Sequence, residues 1–272
     1  MNHYLITRFN LRTEEWQRTR QGADVLTDNW LEERFRLFEN YCLPSVAHQT
    51  NTNFTWCVFF DIETPDKFKD RIDGFKIQLK NFHPIYIDNM EHLQNTFLSF
   101  IEATMDKHLP YVITTRLDND DLVHRDFIDT IQNEFILQDN MVIDLTKGYQ
   151  VNIEMGSCDV RSIDFPFNQF ISFVETSKLP LKTVLSKQHQ EWKRHPEIRV
   201  YNKKEIWIEL IHSSNKLNTI RTKFKRTVRL NNAAFGIRRD KYFHDNPIAV
   251  IINNFKMDLR KLKGSAQRKW GN

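Results

Sequence analysis

The sequence predicts an α/β fold with a mostly parallel central sheet and helices on both faces. Apolar, β-rich segments alternate with segments of helical periodicity throughout residues 1–146, which is typical of consecutive strand–helix units. Some strand segments are almost continuous apolar runs, such as FTWCVFF at 54–60, as expected for strands that are covered on both faces. From residue 147 onward the alternation is less regular, so we expect a less regular second half.

The first elements follow from two different periodicities. Residues 3–11 alternate apolar and polar side chains, which predicts a strand. After a polar stretch, apolar residues recur at the spacing of a helix that we expect to end near Pro44. The next helix is predicted to use Thr64 as its N-cap and Pro65 at its first helical position. The apolar positions of the first helix are Leu31, Phe35, Phe38, Cys42 and Val46.

The remaining elements are predicted in the same way. Apolar runs predict strands at 83–88, 111–117 and 140–146, and helical spacing predicts helices at 90–107 and 126–135. In the second half we expect strands within 148–155, 168–175 and 205–215, helical or loop-like structure over 183–195, and a terminal helix within 249–263.

Length and composition indicate one folded domain. The 272 residues are 40% hydrophobic and 12% aromatic, which is enough for a large core. With no repeat or linker visible, we expect a single domain over 1–272, made of halves 1–146 and 147–255 and a basic C-terminal helix or tail at 256–272. The net charge of +4 is small for a nucleic-acid-binding protein, so we expect no nucleic-acid partner.

Polar residues follow four of the predicted strands at their carboxyl ends. They are found at 8–10, at Asp61, at Asp88 and at 118–121. Ligands of open parallel sheets bind outside the carboxyl ends of the strands. We therefore expect a binding site at this edge.

The stretch TTRLDNDDLVHRDF, residues 114–127, places three carboxylates within four residues directly after an apolar run. In an extended segment Asp118 and Asp120 point the same way, so both can bind one divalent cation such as Mg²⁺ or Mn²⁺. The alternative is a turn in which Asp120 or Asp121 caps the next helix. A strand-end D-x-D before a helix is the arrangement of nucleotide-sugar glycosyltransferases of the GT-A fold.

A longer resemblance supports this interpretation. Residues 30–65, which include WLEERFRLFENY and FTWCVFFDIETP, and residues 114–128 resemble the bacterial putative rhamnosyltransferase family, a group of GT-A-like glycosyltransferases. The resemblance covers roughly 3–240 and implies a sugar donor such as a dTDP- or UDP-sugar, with L-rhamnose as one candidate. It also implies a polysaccharide or glycolipid acceptor and a nucleotide-sugar-binding first half.

The resemblance assigns expected roles at the first strand ends. Arg8 and Asn10 would hold the donor nucleotide, with pairing of Arg8 to Asp61 as the structural alternative. Asp61 would accept the imide N–H of uracil or thymine, or else cap the region of Thr64. Arg116 would contact phosphate or hold Asp118, which is itself a donor-binding candidate.

The later part of the chain supplies the remaining candidates. His212 would be a third metal ligand beside Asp118 and Asp120, and Asn215 would support the diphosphate. Glu191 is the candidate catalytic base of an inverting reaction, with Trp192 stacking on a sugar. The structural alternative for His212 is a histidine at a strand end that bonds only to the backbone. The structural alternative for Glu191 is a charge on the protein surface with no catalytic role. Two acids compete with Glu191 for the role of base: Asp159 and Asp164.

Two other functions remain open from the sequence. A nucleotidyltransferase that makes sugar nucleotides normally has a glycine-rich loop after its first strand, and TRFNLRTEEW contains no glycine. A non-catalytic polyanion-binding protein would suit the basic segments 216–229 and 256–269, but it leaves the acidic cluster unexplained.

The sequence also predicts a compartment. No signal peptide is visible, no segment approaches the about 18 apolar residues of a membrane span, and the cysteines at 42, 57 and 158 are widely spaced. We therefore expect a cytoplasmic protein with reduced thiols. Apolar and basic residues mix in the C-terminal helix, which leaves peripheral contact with the inner face of the membrane open. The alternative is a helix that packs on the sheet.

Overall fold

The computed structural model describes residues 1–13, 26–153, 159–213, 215, 218–228, 230–237, 243 and 245–270, with side chains described up to 259. Residues 14–25, which form most of the polar stretch after the first predicted strand, lie outside the described residues, and so does Cys158. Cys42 and Cys57 are buried free thiols.

The described chain forms two sheets and six α-helices. The strands are β1 (Asn2–Arg8), β2 (Thr55–Asp61), β3 (Phe82–Ile87), β4 (Tyr111–Arg116), β5 (Leu122–Val123), β6 (Met141–Leu145), β7 (Lys147–Asn152), β8 (Asp159–Asp164), β9 (Ser172–Thr176), β10 (Ile198–Tyr201) and β11 (Trp207–Ile211). The helices are α1 (Asp28–Leu37), α2 (Leu43–Ala47), α3 (Asp66–Gln78), α4 (Leu93–Thr104), α5 (Phe127–Glu134) and α6 (Pro247–Trp270).

The seven-stranded sheet has the order β10-β6-β9-β4-β1-β2-β3. The pairs β1–β2, β1–β4, β2–β3 and β6–β10 are parallel, and only β9 runs antiparallel to its neighbours β4 and β6. The predicted fold class, an α/β protein with a mostly parallel sheet, is confirmed. Since β9 and β10 return to this sheet from the second half of the chain, both halves build it.

Helices cover both faces of the large sheet because its strands alternate their side chains. In β2, Trp56 and Val58 face the layer of α1, α3 and α5, whereas Cys57 and Phe59 face the layer of α4. Trp192 packs in the second layer together with α4. The core is therefore divided into two apolar layers with the sheet between them.

The four-stranded sheet has the order β5-β11-β7-β8 and carries part of the candidate site on β11. Trp207 connects it to the large sheet, because its ring stacks on Phe170 with a centroid distance of 4.8 Å and its Nε1 donates to the carbonyl of Leu145 at 2.6 Å. Gly148 of β7 lies directly under this ring, where a Cβ atom would come within 2.2 Å of it.

Two predicted boundaries are wrong. The first helix does not end near Pro44 but continues to Ala47, because a π-helical segment at Phe38–Cys42 shifts the hydrogen-bond register just before the proline. Thr64 is not the N-cap of α3. Pro65 takes that position, and the Thr64 hydroxyl donates instead to the carbonyl of Asp61 at 2.6 Å.

Three elements of the structure had no clear signal in the sequence. They are β5, β8 and β10. The region 183–195, expected to be helical or loop-like, contains two short 3₁₀ segments, Val184–Ser186 and His189–Arg194. Among the described residues no helix combines the length and the apolar character needed to cross a bilayer.

Candidate active site

The carboxylate cluster lies in the loop between β4 and β5, and β1 fixes this loop through the backbone. The amide of Asn119 donates to the carbonyls of Arg8 at 2.9 Å and Phe9 at 2.8 Å. The N–H of Leu117 donates to the carbonyl of Ile6 at 3.0 Å. The loop is therefore held at the carboxyl ends of the two central parallel strands, where the sequence predicted the site.

Asp120 is the most densely bonded carboxylate of the cluster. Its Oδ2 accepts from Arg34 Nη1 at 2.6 Å and Asn215 Nδ2 at 3.3 Å, and it lies 2.9 Å from His212 Nε2. Burial alone would raise the pKa of Asp120, but the charge of Arg34 and the hydrogen bonds from His212 and Arg34 outweigh burial and hold it below its ordinary value. The carboxylate is therefore ionised in the folded protein.

Asp121 has a different environment from that of Asp120. It is buried, and its two oxygens accept from Gln169 Nε2 at 2.9 Å and from the backbone N–H of Leu210 at 3.0 Å. Burial, followed by repulsion from Asp120 and Asp118, holds the pKa of Asp121 well above its ordinary value. Asp121 does not cap α5, whose N-cap is Asp126. It connects the cluster to β11 and to Gln169 in the segment before β9.

Asp118 is the most accessible of the three acids and is surrounded by positive charge. Its side chain is 35% exposed, and Arg8 Nη2 lies 3.6 Å from its Oδ1. Arg116 is buried, and burial followed by the charge of Arg8 lowers the pKa of Arg116 to about 10, so the guanidinium remains charged at neutral pH. The side chain of Arg116 makes no hydrogen bond to the residues that the structure describes.

The predicted nucleotide-binding residues at β1 and β2 are occupied by contacts within the protein. Asn10 donates to the Thr64 hydroxyl at 3.0 Å and accepts from the N–H of Asp61 at 3.2 Å. Asp61 accepts from Arg12 Nε at 2.7 Å and from the N–H of Glu63 at 2.8 Å. The structural alternative for Arg8 is wrong, because the partner of Asp61 is Arg12 and Arg8 faces Asp118.

His212 and Asn215 come to the cluster from the end of β11. Asn215 accepts from the N–H of His212 at 2.7 Å, and its Nδ2 lies 3.0 Å from His212 Nε2. Nδ1 of His212 is buried without a hydrogen-bond partner in the described part of the chain. The structure therefore brings Asp120 together with His212 and Asn215, which follow it by 92 and 95 positions in the sequence.

The residue types at this edge fit a divalent cation. Two carboxylates and one imidazole, those of Asp118, Asp120 and His212, are suitable ligands for Mg²⁺ or Mn²⁺, and Oδ1 of Asp120 accepts no hydrogen bond from described residues. The arrangement is not a finished metal centre, because no three His, Cys, Asp or Glu side chains among the described residues are gathered closely enough. Arg34 already neutralises Asp120, so the ligands would have to close around the ion.

Glu191 is an exposed charge, which was the alternative to a catalytic base, and it also makes a structural contact. Its Oε2 accepts from the N–H of Gln188 at 2.7 Å, which completes a capping box at the start of the second 3₁₀ segment. The expected sugar stacking by Trp192 is wrong, because this ring is buried against Phe173 with a centroid distance of 4.7 Å.

The remaining acids lie in other contacts. Asp88 is exposed and pairs with His92. Asp159 pairs with Arg161 at 2.8 Å, and Asp164 is exposed at the end of β8.

Sequence reasoning missed Arg34 and His189. Arg34 is an arginine on the apolar face of α1, three residues after Leu31 and four before Phe38, and a charge on a buried helical face is a signal that could have indicated it. His189 gave no comparable signal. It comes close enough to Arg116 and Asp118 for their charges to act on its ring.

Comparison with solved structures finds TarS of S. aureus. The 1–349 chain of TarS matches with a TM-score of 0.46 and 11% identity, over 77% of this chain and 60% of that chain. The same TarS chain in complex with UDP-GlcNAc matches with a TM-score of 0.46 and 11% identity, over 82% of this chain and 63% of that chain. The present chain thus spans less than two thirds of these structures. No curated protein matches the sequence.

Comparison with protein families finds one that is described as "Putative rhamnosyl transferase", and its model matches residues 2–224. The match includes the four parallel strands β1 to β4, the carboxylate loop and β11 with His212. Since the match extends over well more than half of the sequence, the chain belongs to the putative rhamnosyl transferase family.

Proposed function

We propose that the protein is a glycosyltransferase, and that it takes its sugar from a nucleoside-diphosphate donor bound at the carboxyl ends of β1 and β4. The observation that carries the proposal is the grouping of acidic and basic side chains in one loop region: Asp118 lies near Arg8 and Arg116, and Asp120 pairs with Arg34. A diphosphate needs cations along its oxygens, and carboxylates at the same place allow a metal ion to join them.

Arg116 is the strongest candidate for a direct contact with phosphate. Its guanidinium is charged, buried and without a hydrogen bond to described residues, and a guanidinium matches phosphate oxygens with two parallel donors. Phosphate oxygens would supply the hydrogen-bond acceptors that the Arg116 side chain lacks among the described residues. Arg8 is more exposed and would contact the same group from the side of β1.

The proposed metal ligands are Asp118, Asp120 and His212, with Mn²⁺ or Mg²⁺ as the ion. When bound, such an ion would offset the charge of the departing diphosphate. Asn215 lies against two of these ligands, so its expected role in donor binding includes holding Asp120 and His212 in place.

The finer features of the reaction are part of the same proposal. We expect a dTDP- or UDP-sugar donor, with L-rhamnose as the candidate sugar that the family description suggests. We expect inversion at the anomeric carbon and a glycan or lipid-linked glycan as the acceptor.

Contact with a membrane on the cytoplasmic side is the proposed route to a lipid-linked acceptor. One face of α6 exposes five large apolar side chains at helical spacing, and the sequence 256–269 is rich in lysine and arginine. This combination of apolar and basic residues suits an anionic bilayer surface. The apolar residues are Ile248, Ile251, Ile252, Phe255 and Leu259.

Calorimetric titration of dTDP- and UDP-sugars, with and without Mn²⁺, tests the proposed function. We expect one donor to bind in a metal-dependent manner, and Asp120→Asn to weaken its binding at least about tenfold, which is about 1.4 kcal/mol. The matched control is Asp70→Asn, because Asp70 is an exposed acid on α3. Failure of the folded protein to bind any sugar nucleotide would contradict the proposal, and metal-free, salt-sensitive binding of an oligonucleotide would favour a polyanion-binding protein.

A further inference from the structure

The second 3₁₀ segment contains a histidine whose hydrogen bonding defines its tautomer. Nδ1 of His189 lies 2.6 Å from the backbone carbonyl oxygen of Phe167. A carbonyl oxygen only accepts hydrogen bonds, so Nδ1 carries the hydrogen, and in the neutral ring Nε2 carries the free lone pair. Gln190 Nε2, which lies 3.3 Å from Nδ1, donates to the same carbonyl at 2.7 Å. Nε2 of His189 has no hydrogen-bond partner among the described residues, and the ring is only partly buried. His189 therefore presents an unoccupied acceptor nitrogen.

The backbone that holds this ring is in an unusual conformation. Phe167 has a φ of +55°, in the left-handed region that bulky L-residues rarely adopt. Its N–H donates to Asp144 Oδ2 at 2.9 Å, and its carbonyl also accepts from Gln190 Nε2 at 2.7 Å. Such conformations persist only where the surroundings fix them, and they are enriched at functional sites. Here the fixed carbonyl orients His189.

The segment that orients His189 also contacts the carboxylate cluster, because Gln169, two residues after Phe167, donates to Asp121 Oδ2 at 2.9 Å. The charged groups that act on the ring of His189 come from three different elements: Arg116 from β4, Asp118 from the loop after β4, and Glu209 from β11. Burial lowers the pKa of His189 below its ordinary value, and the bond to Phe167 opposes this change. The imidazole is therefore neutral near pH 7, the state in which it accepts a proton.

We propose that Nε2 of His189 is the general base that activates the acceptor hydroxyl. The acceptor oxygen forms a bond to the anomeric carbon of the donor sugar while the bond from this carbon to the diphosphate oxygen breaks. The electron pair of the broken bond leaves on the diphosphate, and the acceptor proton moves to Nε2. This inference rests on the proposed function, and it replaces Glu191, which already caps its own segment.

The test compares His189→Gln with wild type on the donor that binds best in the calorimetric panel. The release of nucleoside diphosphate is measured with water and then methanol as acceptor, and donor affinity is measured on the same samples. We expect the rate of His189→Gln to fall about 100-fold or more and its donor affinity to stay within about twofold, since Nε2 faces the acceptor. The wild-type rate should rise with pH as His189 loses its proton, and this rise should be absent in the variant.

Two controls separate a chemical role from a structural one. Glu191→Gln should keep the wild-type rate, and so should His195→Gln, because His195 is a buried histidine bonded to the carbonyl of Asn140. A normal rate and pH profile in His189→Gln, with donor binding intact, would contradict the base assignment alone. A loss of rate in Glu191→Gln instead of His189→Gln would restore Glu191 as the base. Absence of donor binding in wild type would contradict the proposed function, and the base with it.

Discussion

Arg34 and Asp120 form a buried ion pair in the middle of the proposed metal site. The two side chains are 5% and 11% exposed and lie 2.6 Å apart. A fixed cation at this distance competes with a divalent ion for the same carboxylate, since two unit charges about 4 Å apart interact by about 4 kcal/mol at an intermediate dielectric. We therefore expect Arg34 to lower the affinity of the proposed site for metal when no diphosphate is present.

Replacing Arg34 by Met should make this competition measurable. Removal of the competing cation should raise the affinity for Mn²⁺ in the absence of nucleotide by about tenfold or more, as measured by calorimetry. The same change should lower the free energy of unfolding of the metal-free protein by about 3 kcal/mol, because it leaves a buried carboxylate poorly paired. Thermal unfolding should show that Mn²⁺ restores part of this lost stability.

Arg36→Met is the matched control for Arg34→Met. Arg36 lies on the same helix but forms an exposed pair with Glu33, which contributes little to stability. Equal effects of the two substitutions on Mn²⁺ affinity would show that Arg34 has no special relation to the metal site.

The sequence could identify acidic residues at strand ends but not every partner they meet. Asp118 and Asp120 were predictable because they follow an apolar strand, and His212 because it ends another. Arg34 contacts Asp120 from 86 positions away, and only its place on an apolar helical face hinted at burial. His189 was not predictable, because its orientation depends on the left-handed backbone of Phe167, for which a phenylalanine gives no signal.

At the level of elements, strands with a clear local sequence pattern were predictable, whereas pairings between strands that are distant in sequence were not. Parallel strands β1 to β4 were predictable because buried strands are apolar runs separated by amphipathic helices. The antiparallel insertion of β9 between β4 and β6 was not, since it depends on pairing between residues such as Ile113 and Val174 that are distant in sequence. Strand β10 lies at the edge of the sheet with exposed side chains, so it lacks the apolar signal of a buried strand.

The contact between β7 and Trp207 gives a prediction about how the small sheet is attached. Gly148→Ala would place a Cβ atom 2.2 Å from the ring of Trp207, and this ring is fixed by its stacking on Phe170. We expect a loss of about 2 to 3 kcal/mol in the free energy of unfolding, in the upper part of the range of about 1 to 3 kcal/mol that is usual for overpacking. Denaturant unfolding measures it.

Gly74→Ala is the opposite case within the same protein. Gly74 lies inside α3, and a Cβ atom there would meet nothing within 4 Å. Because alanine is a better helix former, this substitution should stabilise the protein by about 0.5 to 1 kcal/mol. If Gly148→Ala were as mild as Gly74→Ala, the close approach of β7 to Trp207 would be wrong.

On the scale of the whole molecule, α6 combines a packed face with an exposed apolar one. Val250 and Met257 are buried, and Asn254 donates to the carbonyl of Arg226 at 2.9 Å, so this side packs on the protein. Ile251 and Phe255 are 68% and 63% exposed on the other side. Packing and membrane contact, which the sequence left as alternatives, are therefore compatible on this helix.

Vesicle sedimentation tests the proposed membrane surface. We expect binding to vesicles that contain phosphatidylglycerol, weaker binding to pure phosphatidylcholine, and loss of binding at high salt. The double variant Ile251→Glu/Phe255→Glu should bind at least about tenfold more weakly, because each large apolar side chain contributes about 1.5 to 3 kcal/mol when buried. Ile77→Glu, which alters an 84% exposed isoleucine on α3, should bind normally. If the double variant bound vesicles normally but separated a dimer on gel filtration, a second copy would be the partner of this face.

A crystal structure of the protein with Mn²⁺ and UDP or dTDP tests the proposed donor site most directly. We expect the diphosphate at the carboxyl ends of β1 and β4, in contact with Arg116, with the ion between it and Asp118 and Asp120. A nucleotide bound elsewhere, for example on the basic segment 221–226, with the carboxylate cluster unchanged and Arg34 still on Asp120, would contradict the proposed donor site.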